Sequence, residues 1–255
     1  MIKNIITTII FLLLLLSSCA SRKDIVYYNK TTTINDTLNK VTNNNYEPKF
    51  KSDDLLTITV TAPDVEAAVP FNLIAPTLNT LSAATERLTY LVDNKGYIEF
   101  PVIGHFKIEG YTREEIVKKL TDEIKKYINN PTVNIKILNF KICINGEVNR
   151  PGVYTIASER ITLLDAISLG GDLTVYGRRD NILILREING VKTMNRVDLT
   201  KTDFINSDFY YLSQNDQIYI EPNKTRINSS VVGPNVSIII SVATLMIAVV
   251  TLMLK

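Results

Sequence analysis

The stretch Ser237 to Leu254, SIIISVATLMIAVVTLML, contains no charged residue. At ~1.5 Å rise per residue its 18 residues would make a helix roughly 27 Å long, about the hydrocarbon thickness of a bilayer. A C-terminal transmembrane helix over 231–254 is therefore expected. Ser237, Ser241, Thr244, Ala248 and Thr251 recur at spacings of four, three, four and three. On a helix they share one face, while Ile240, Val242, Leu245, Val249 and Leu252 lie largely elsewhere. Two readings stand side by side: a plain anchor whose small residues tolerate neighbours, and a helix that assembles with copies of itself. In the second, Ser237, Ser241, Thr244 and Thr251 face a lumen.

The N-terminus constrains the chain next. Lys3 supplies a positive start, Ile5 to Leu16 an apolar core, and the run ends at Leu16-Ser17-Ser18-Cys19. This pattern is a signal peptide over 1–18. Small residues directly before a cysteine resemble the lipobox of bacterial lipoproteins, which implies that Cys19 is diacylated and becomes the first residue after cleavage. Each buried acyl methylene contributes ~0.8 kcal/mol of membrane affinity. With Cys19 lipidated, Cys143 has no intramolecular partner. Lying in the apolar run Phe140 to Ile144, it is expected as a small core residue.

Composition narrows the chemistry. A net charge of +2 on 255 residues, without a basic stripe interleaved with aromatics, argues against nucleic acid as a partner. Trp is absent and His105 is the only histidine, which excludes a site needing two imidazoles and argues against a catalytic triad or zinc centre. No catalytic residue, cofactor or metal ligand is assigned.

Residues 19–45, rich in Thr, Asn and Lys, read as a tether. Leu56, Ile58 and Val60 then alternate with threonines, the period-2 mark of a half-buried strand, after a turn at Asp53-Asp54. Residues 63–90 hold three prolines and no firm period, and read as an insertion or long loop. Tyr90–Val92 and Tyr97–Phe100 flank Asp93-Asn94-Lys95-Gly96, a hairpin signal. Thr112 and Glu115 form a capping box ahead of a helix whose apolar face is Ile116, Val117, Leu120, Ile124, Tyr127 and Ile128, ending at Asn129-Asn130-Pro131. Val133, Ile135 and Ile137 resume a strand. The first domain, 46–138, is thus expected to be α+β.

The second, 139–223, begins with Phe140, Ile142 and Ile144. A return strand follows at Val153–Ile156, then a short helix at Leu163–Leu169 capped by Thr162 and Asp165 and stopped at Gly170-Gly171. Strands at Ile182–Arg186, Val191–Val197 and Gln217–Ile220 complete a β-grasp-like unit. Gly170-Gly171-Asp172 is no phosphate loop, because it lies at the negative end of a helix dipole.

The order of motifs resembles the outer-membrane polysaccharide export proteins, Wza-like lipoproteins of Gram-negative bacteria. The first domain resembles their export domain in Asp54-Leu55-Leu56-Thr57-Ile58-Thr59-Val60, Phe100-Pro101-Val102-Ile103-Gly104, Gly110-Tyr111-Thr112 and Asn130-Pro131-Thr132-Val133. The second resembles the SLBB (soluble ligand-binding β-grasp) domain in Gly146-Glu147-Val148-Asn149-Arg150-Pro151-Gly152-Val153-Tyr154, in Leu163-Leu164-Asp165-Ala166-Ile167 with Gly170-Gly171, and in Asn215-Asp216-Gln217-Ile218-Tyr219-Ile220. Asp53 stands where that family often has glycine, and this chain has room for one SLBB unit where better studied members carry more.

The resemblance implies a homo-oligomeric ring of subunits, often eight, whose C-terminal helices form a porin-like barrel through the outer membrane. Its lumen would pass capsular or exopolysaccharide outward. The implied partners are the polysaccharide, membrane lipid around a palmitate-type anchor, and an inner-membrane polysaccharide co-polymerase or associated tyrosine kinase. The body would lie in the periplasm, and no catalysis is implied.

Two other readings are weighed against export. One is a periplasmic ligand-binding or scaffold lipoprotein whose last helix is an inner-membrane anchor. The other is a sugar-processing enzyme, for which Asp53, Asp54, Glu66 and Glu86 are available but no pattern selects a pair.

Overall fold

The computed structural model describes residues 25–28, 46–73, 88–188, 190–231 and 235–253. The signal segment, Cys19, Glu86 and Asn189 lie outside them. Helix and strand mix as the α+β reading requires, around two hydrophobic cores among the described residues.

In the first body, alternation sets β1, Leu55–Thr61: Leu56, Ile58 and Val60 are buried and the threonines between them are more open. β1 pairs antiparallel with β5, Thr132–Ile137, from Leu56↔Ile137 to Thr61↔Thr132, and on its other edge with the short β2, Tyr90–Leu91. The expected insertion is partly core. Asp64 caps a helical turn α1, Val65–Ala68, and Phe71 is buried in the turn that follows. The Asn72 amide secures this segment, bonding both Val60 N–H and Val60 C=O at 2.9 Å.

The hairpin expected around residues 93–96 forms only as a turn. Asp93 N–H donates to Tyr97 O at 2.8 Å, but the flanking strands then part. β2 joins β1, whereas β3, Tyr97–Phe100, pairs forward with β4, Gly104–Lys107. A turn at Pro101–Ile103 is legible in the sequence as well, but period-2 patterning specifies faces, not partners, and so does not choose between the two turns. The Thr112/Glu115 capping box starts α2, Arg113–Ile124, with Ile116, Leu120 and Ile124 fully buried. Tyr127, expected on that face, is 59% exposed, because the helix stops at Ile124 and the 3.6-residue period lapses.

The second body is a five-stranded sheet in the order β7-β6-β10-β8-β9. Its members are β6, Lys141–Gly146; β7, Gly152–Thr155; β8, Gly177–Ile188; β9, Val191–Val197; and β10, Gln217–Pro222, with α3, Leu163–Leu169, lying between β7 and β8 in the chain. β10 runs parallel to β6 and every other pairing is antiparallel. Close approach makes Gly146 obligatory: at φ +92°, an added Cβ would stand 2.1 Å from the Ile220 carbonyl oxygen.

Cys143 is not the core residue expected. It is a half-buried thiol, because the pleat turns Ile142 and Ile144 inward and Cys143 the other way.

After β10 come two helices, α4, Lys224–Val231, and α5, Asn235–Met253. Of the helix expected over 231–254, α5 covers 235–253, and residues 232–234 and 254 lie outside the described residues. Among the described residues no helix is long and apolar enough to cross a membrane. The expected transmembrane helix is thus not established by the fold.

Candidate functional site

Three places bear on function. On α5, at 100° per residue, Ser237, Ser241, Thr244 and Thr251 fall within an arc of about 80°. Ile238, Ile240, Val242, Leu245, Met246, Ile247, Val249 and Leu252 occupy the rest, each between 45% and 77% exposed. Thr244 Oγ1 donates to Ile240 O and Ser241 O, both at 2.9 Å. Thr251 Oγ1 donates to Ile247 O at 2.9 Å and Ala248 O at 2.8 Å. Back-bonded in this way, the hydroxyl protons are satisfied within the helix and need no water. Cys19 and the Ser237 side chain lie outside the described residues.

The second place is a cleft of about 500 Å³ between the two bodies. Its floor includes Phe50, Ile135 and Phe140, all buried, and its rim carries Glu47, Glu114, Asn134, Lys136 and Ser158. The Arg113–Glu159 ion pair, 3.0 Å, ties the first turn of α2 to the loop after β7. β5 lines the cleft because it is an edge strand, with Asn134 and Lys136 on its open face. An apolar floor under amide, hydroxyl, ammonium and carboxylate groups can both pack and hydrogen-bond a polar ligand.

The third is the polar junction that holds the bodies together. Asn139 accepts Leu55 N–H at 2.9 Å and donates to Asp53 O at 2.8 Å, while Gln214 bonds Asn139 O and Lys141 N–H. Tyr46 stacks on Tyr211 with centroids 5.1 Å apart, its hydroxyl 2.8 Å from Ser213 Oγ. Lys51 Nζ reaches Glu187 O and Gln214 O, and burial lowers its pKa. Asp54 is 1% exposed; its Oδ2 accepts Lys51 N–H at 2.8 Å and Oδ1 has no protein partner. Burial pushes its carboxyl up to about 6, against the opposing hydrogen bond from Lys51.

Behind the junction, the Arg186 guanidinium is buried against Asp216, with Nη2 to Oδ2 at 2.7 Å and Nε to Oδ1 at 3.0 Å. Its remaining protons reach Asp208 O and Tyr211 O, both at 2.9 Å, and Ser213 N–H completes Asp216. The reading of the sequence missed this pair. Its signal was register, since Ile182 and Ile184 point inward on β8 and residue 186 must follow them.

Among the described carboxylates considered for hydrolysis, Asp54 is buried ahead of β1 and Glu66 is exposed on α1. Among the described residues, no three His, Cys, Asp or Glu side chains group as metal ligands.

Comparison with known proteins agrees with this division. Residues 42–138 match the family model described as polysaccharide biosynthesis/export protein, and residues 140–220 match that of the SLBB domain. Among curated relatives, the EPS I polysaccharide export outer membrane protein EpsA of Ralstonia solanacearum is 32% identical over 89 residues, covering 34% of this chain and 24% of that protein. The protein of the same description from Ralstonia nicotianae is 29% identical over 101 residues, covering 38% of this chain and 26% of that one. The match thus spans about a quarter of the length of these relatives. With an export domain followed by an SLBB domain, the chain belongs to the Wza-like polysaccharide export proteins.

Proposed function

We propose that the chain is a subunit of an outer-membrane translocon that carries capsular or exopolysaccharide from the periplasm to the cell surface. Lipid on Cys19 holds it to the membrane, and its two β-rich bodies stack as periplasmic rings. The α5 helices of neighbouring copies line an exit, with Ser237, Ser241, Thr244 and Thr251 towards the lumen. The observation that carries this reading is the tandem of export and SLBB domains leading into a helix whose apolar side chains lie open over most of its circumference. Such a helix is poorly suited to water. Copies side by side would present the apolar arc to lipid and the hydroxyl arc inward, at little cost because the threonines are already back-bonded. The parallel β6–β10 pairing with one helix against the sheet supports the β-grasp reading of the second body.

The subunit does no chemistry on the polymer. An inner-membrane polysaccharide co-polymerase, or its associated tyrosine kinase, is the partner across the periplasm. Deleting the gene should abolish surface polysaccharide and leave polymer inside the cell. A plasmid copy should restore export, and a copy ending before Asn235 should not. Surface polysaccharide unchanged by the deletion would sink the proposal.

The cleft favours one second reading, a ligand-binding or scaffold lipoprotein held by α5 in the inner membrane. Blotting for the protein in separated inner and outer membranes decides between them.

A further inference from the structure

The segment read as a tether is not free of the body it tethers. Ile25–Tyr28 lies against the second body, eight residues past Cys19 at Tyr27. Tyr28 N–H donates to Leu199 O at 3.1 Å, and the Tyr28 ring stacks on Phe204 at 5.7 Å. The Tyr27 hydroxyl donates to Asp172 Oδ1, and its ring covers the Arg179 guanidinium at 5.3 Å. Arg179 is only 5% exposed and its Nε has no hydrogen-bond partner, so the ring shields a buried cation. Burial first, and then the bond to Asp172, hold the Tyr27 phenol protonated far above its ordinary range.

The loop that receives Tyr27 also holds the root of the C-terminal helices. Within residues 172–177, Tyr176 O accepts Asn223 N–H at 2.7 Å, and the Tyr176 ring lies 5.4 Å from the Arg226 guanidinium. Arg226 also pairs with Glu147 at 3.1 Å, and Glu147 in turn holds Thr174.

We propose that Tyr27-Tyr28 is an intramolecular latch, fixing the N-terminal segment to the loop that roots α4, so that lipid anchor and C-terminal helix leave one face of the SLBB domain and turn that face to the bilayer. The orientation rests on the lipidated reading of Cys19; the latch does not. Eight extended residues reach at most ~29 Å, which caps the distance from the acylated cysteine to the Tyr27 backbone.

The test uses the full chain in membrane vesicles, with the mass of the N-terminal peptide read first. Amide exchange over residues 25–29 should be slow at Tyr28 in the natural chain. It should speed up at least tenfold in Tyr27→Ala/Tyr28→Ala, while β10 stays protected. Exchange at Tyr28 as fast as in an unstructured peptide would overturn the latch. A fluorophore on Val175→Cys, in a Cys143→Ala background, should be quenched by headgroup-labelled lipid at least twofold more than one on Glu99→Cys. Equal quenching on an acylated chain would overturn the orientation. An unacylated Cys19 would overturn the lipoprotein reading and the orientation built on it, with the latch still decided by exchange.

Discussion

Asp54 is the residue whose surroundings most alter its chemistry. Its folded pKa, about 6, lies above the unfolded carboxylate value, so the folded state holds the proton more tightly. The stability this contributes is complete below the unfolded pKa near 4 and is lost as pH rises through 6. At ~1.36 kcal/mol per tenfold change in proton affinity, the loss is about 3 kcal/mol between pH 3 and pH 8. Denaturant titrations of Asp54→Asn should lack this component, the gap between variant and natural chain changing in the variant's favour across pH 4–7. A parallel pH profile for both would refute it.

Arg186 and Asp216 behave oppositely: each satisfies the other. Removing one leaves a buried unpaired charge, so Arg186→Met or Asp216→Leu should cost about 3–5 kcal/mol, and the double replacement less than either single one. Chemical denaturation of the three variants measures this. Both residues stand where alternation demands an inward side chain. That position was legible in the sequence, but the partner was not, because the pair joins positions 30 apart.

Among elements, α2 was the most readable. Its capping box and apolar spacing are local, and local rules decide where such a helix begins. The strands near 90–107 were less so, because two turns competed for one strand and only packing on β1 and β4 chose between them. α5 has a seam evident in its spacing, and in the proposed translocon that seam faces the lumen. With Cys143 replaced by alanine, cysteines at Ser237, Ser241, Thr244 and Thr251 should react with a water-soluble thiol reagent severalfold faster than cysteines at Ile240 or Leu252. Equal rates would refute the lumen assignment.

For the whole molecule, the junction is the decisive feature. Asn139, Gln214, Lys51 and Tyr46 bind the two bodies through backbone and ring contacts. No motif announces these residues, since amides, a lysine and a tyrosine are ordinary surface types. The cleft above Ile135 and Phe140 follows from how the bodies meet, and so was equally invisible.

The sequence by itself determined the periodic and local features: the lipobox-like start, the buried faces of β1 and α2, the caps, the α+β class and the order of the two domains. These rest on interactions within a few residues along the chain. Only the tertiary structure decided which strands pair, that Cys143 faces away from the core, that Phe71 belongs inside it, and that Tyr27 and Tyr28 dock beside the root of the last helices. Each of these depends on contacts between residues distant in the chain, whose free energies no local spacing encodes.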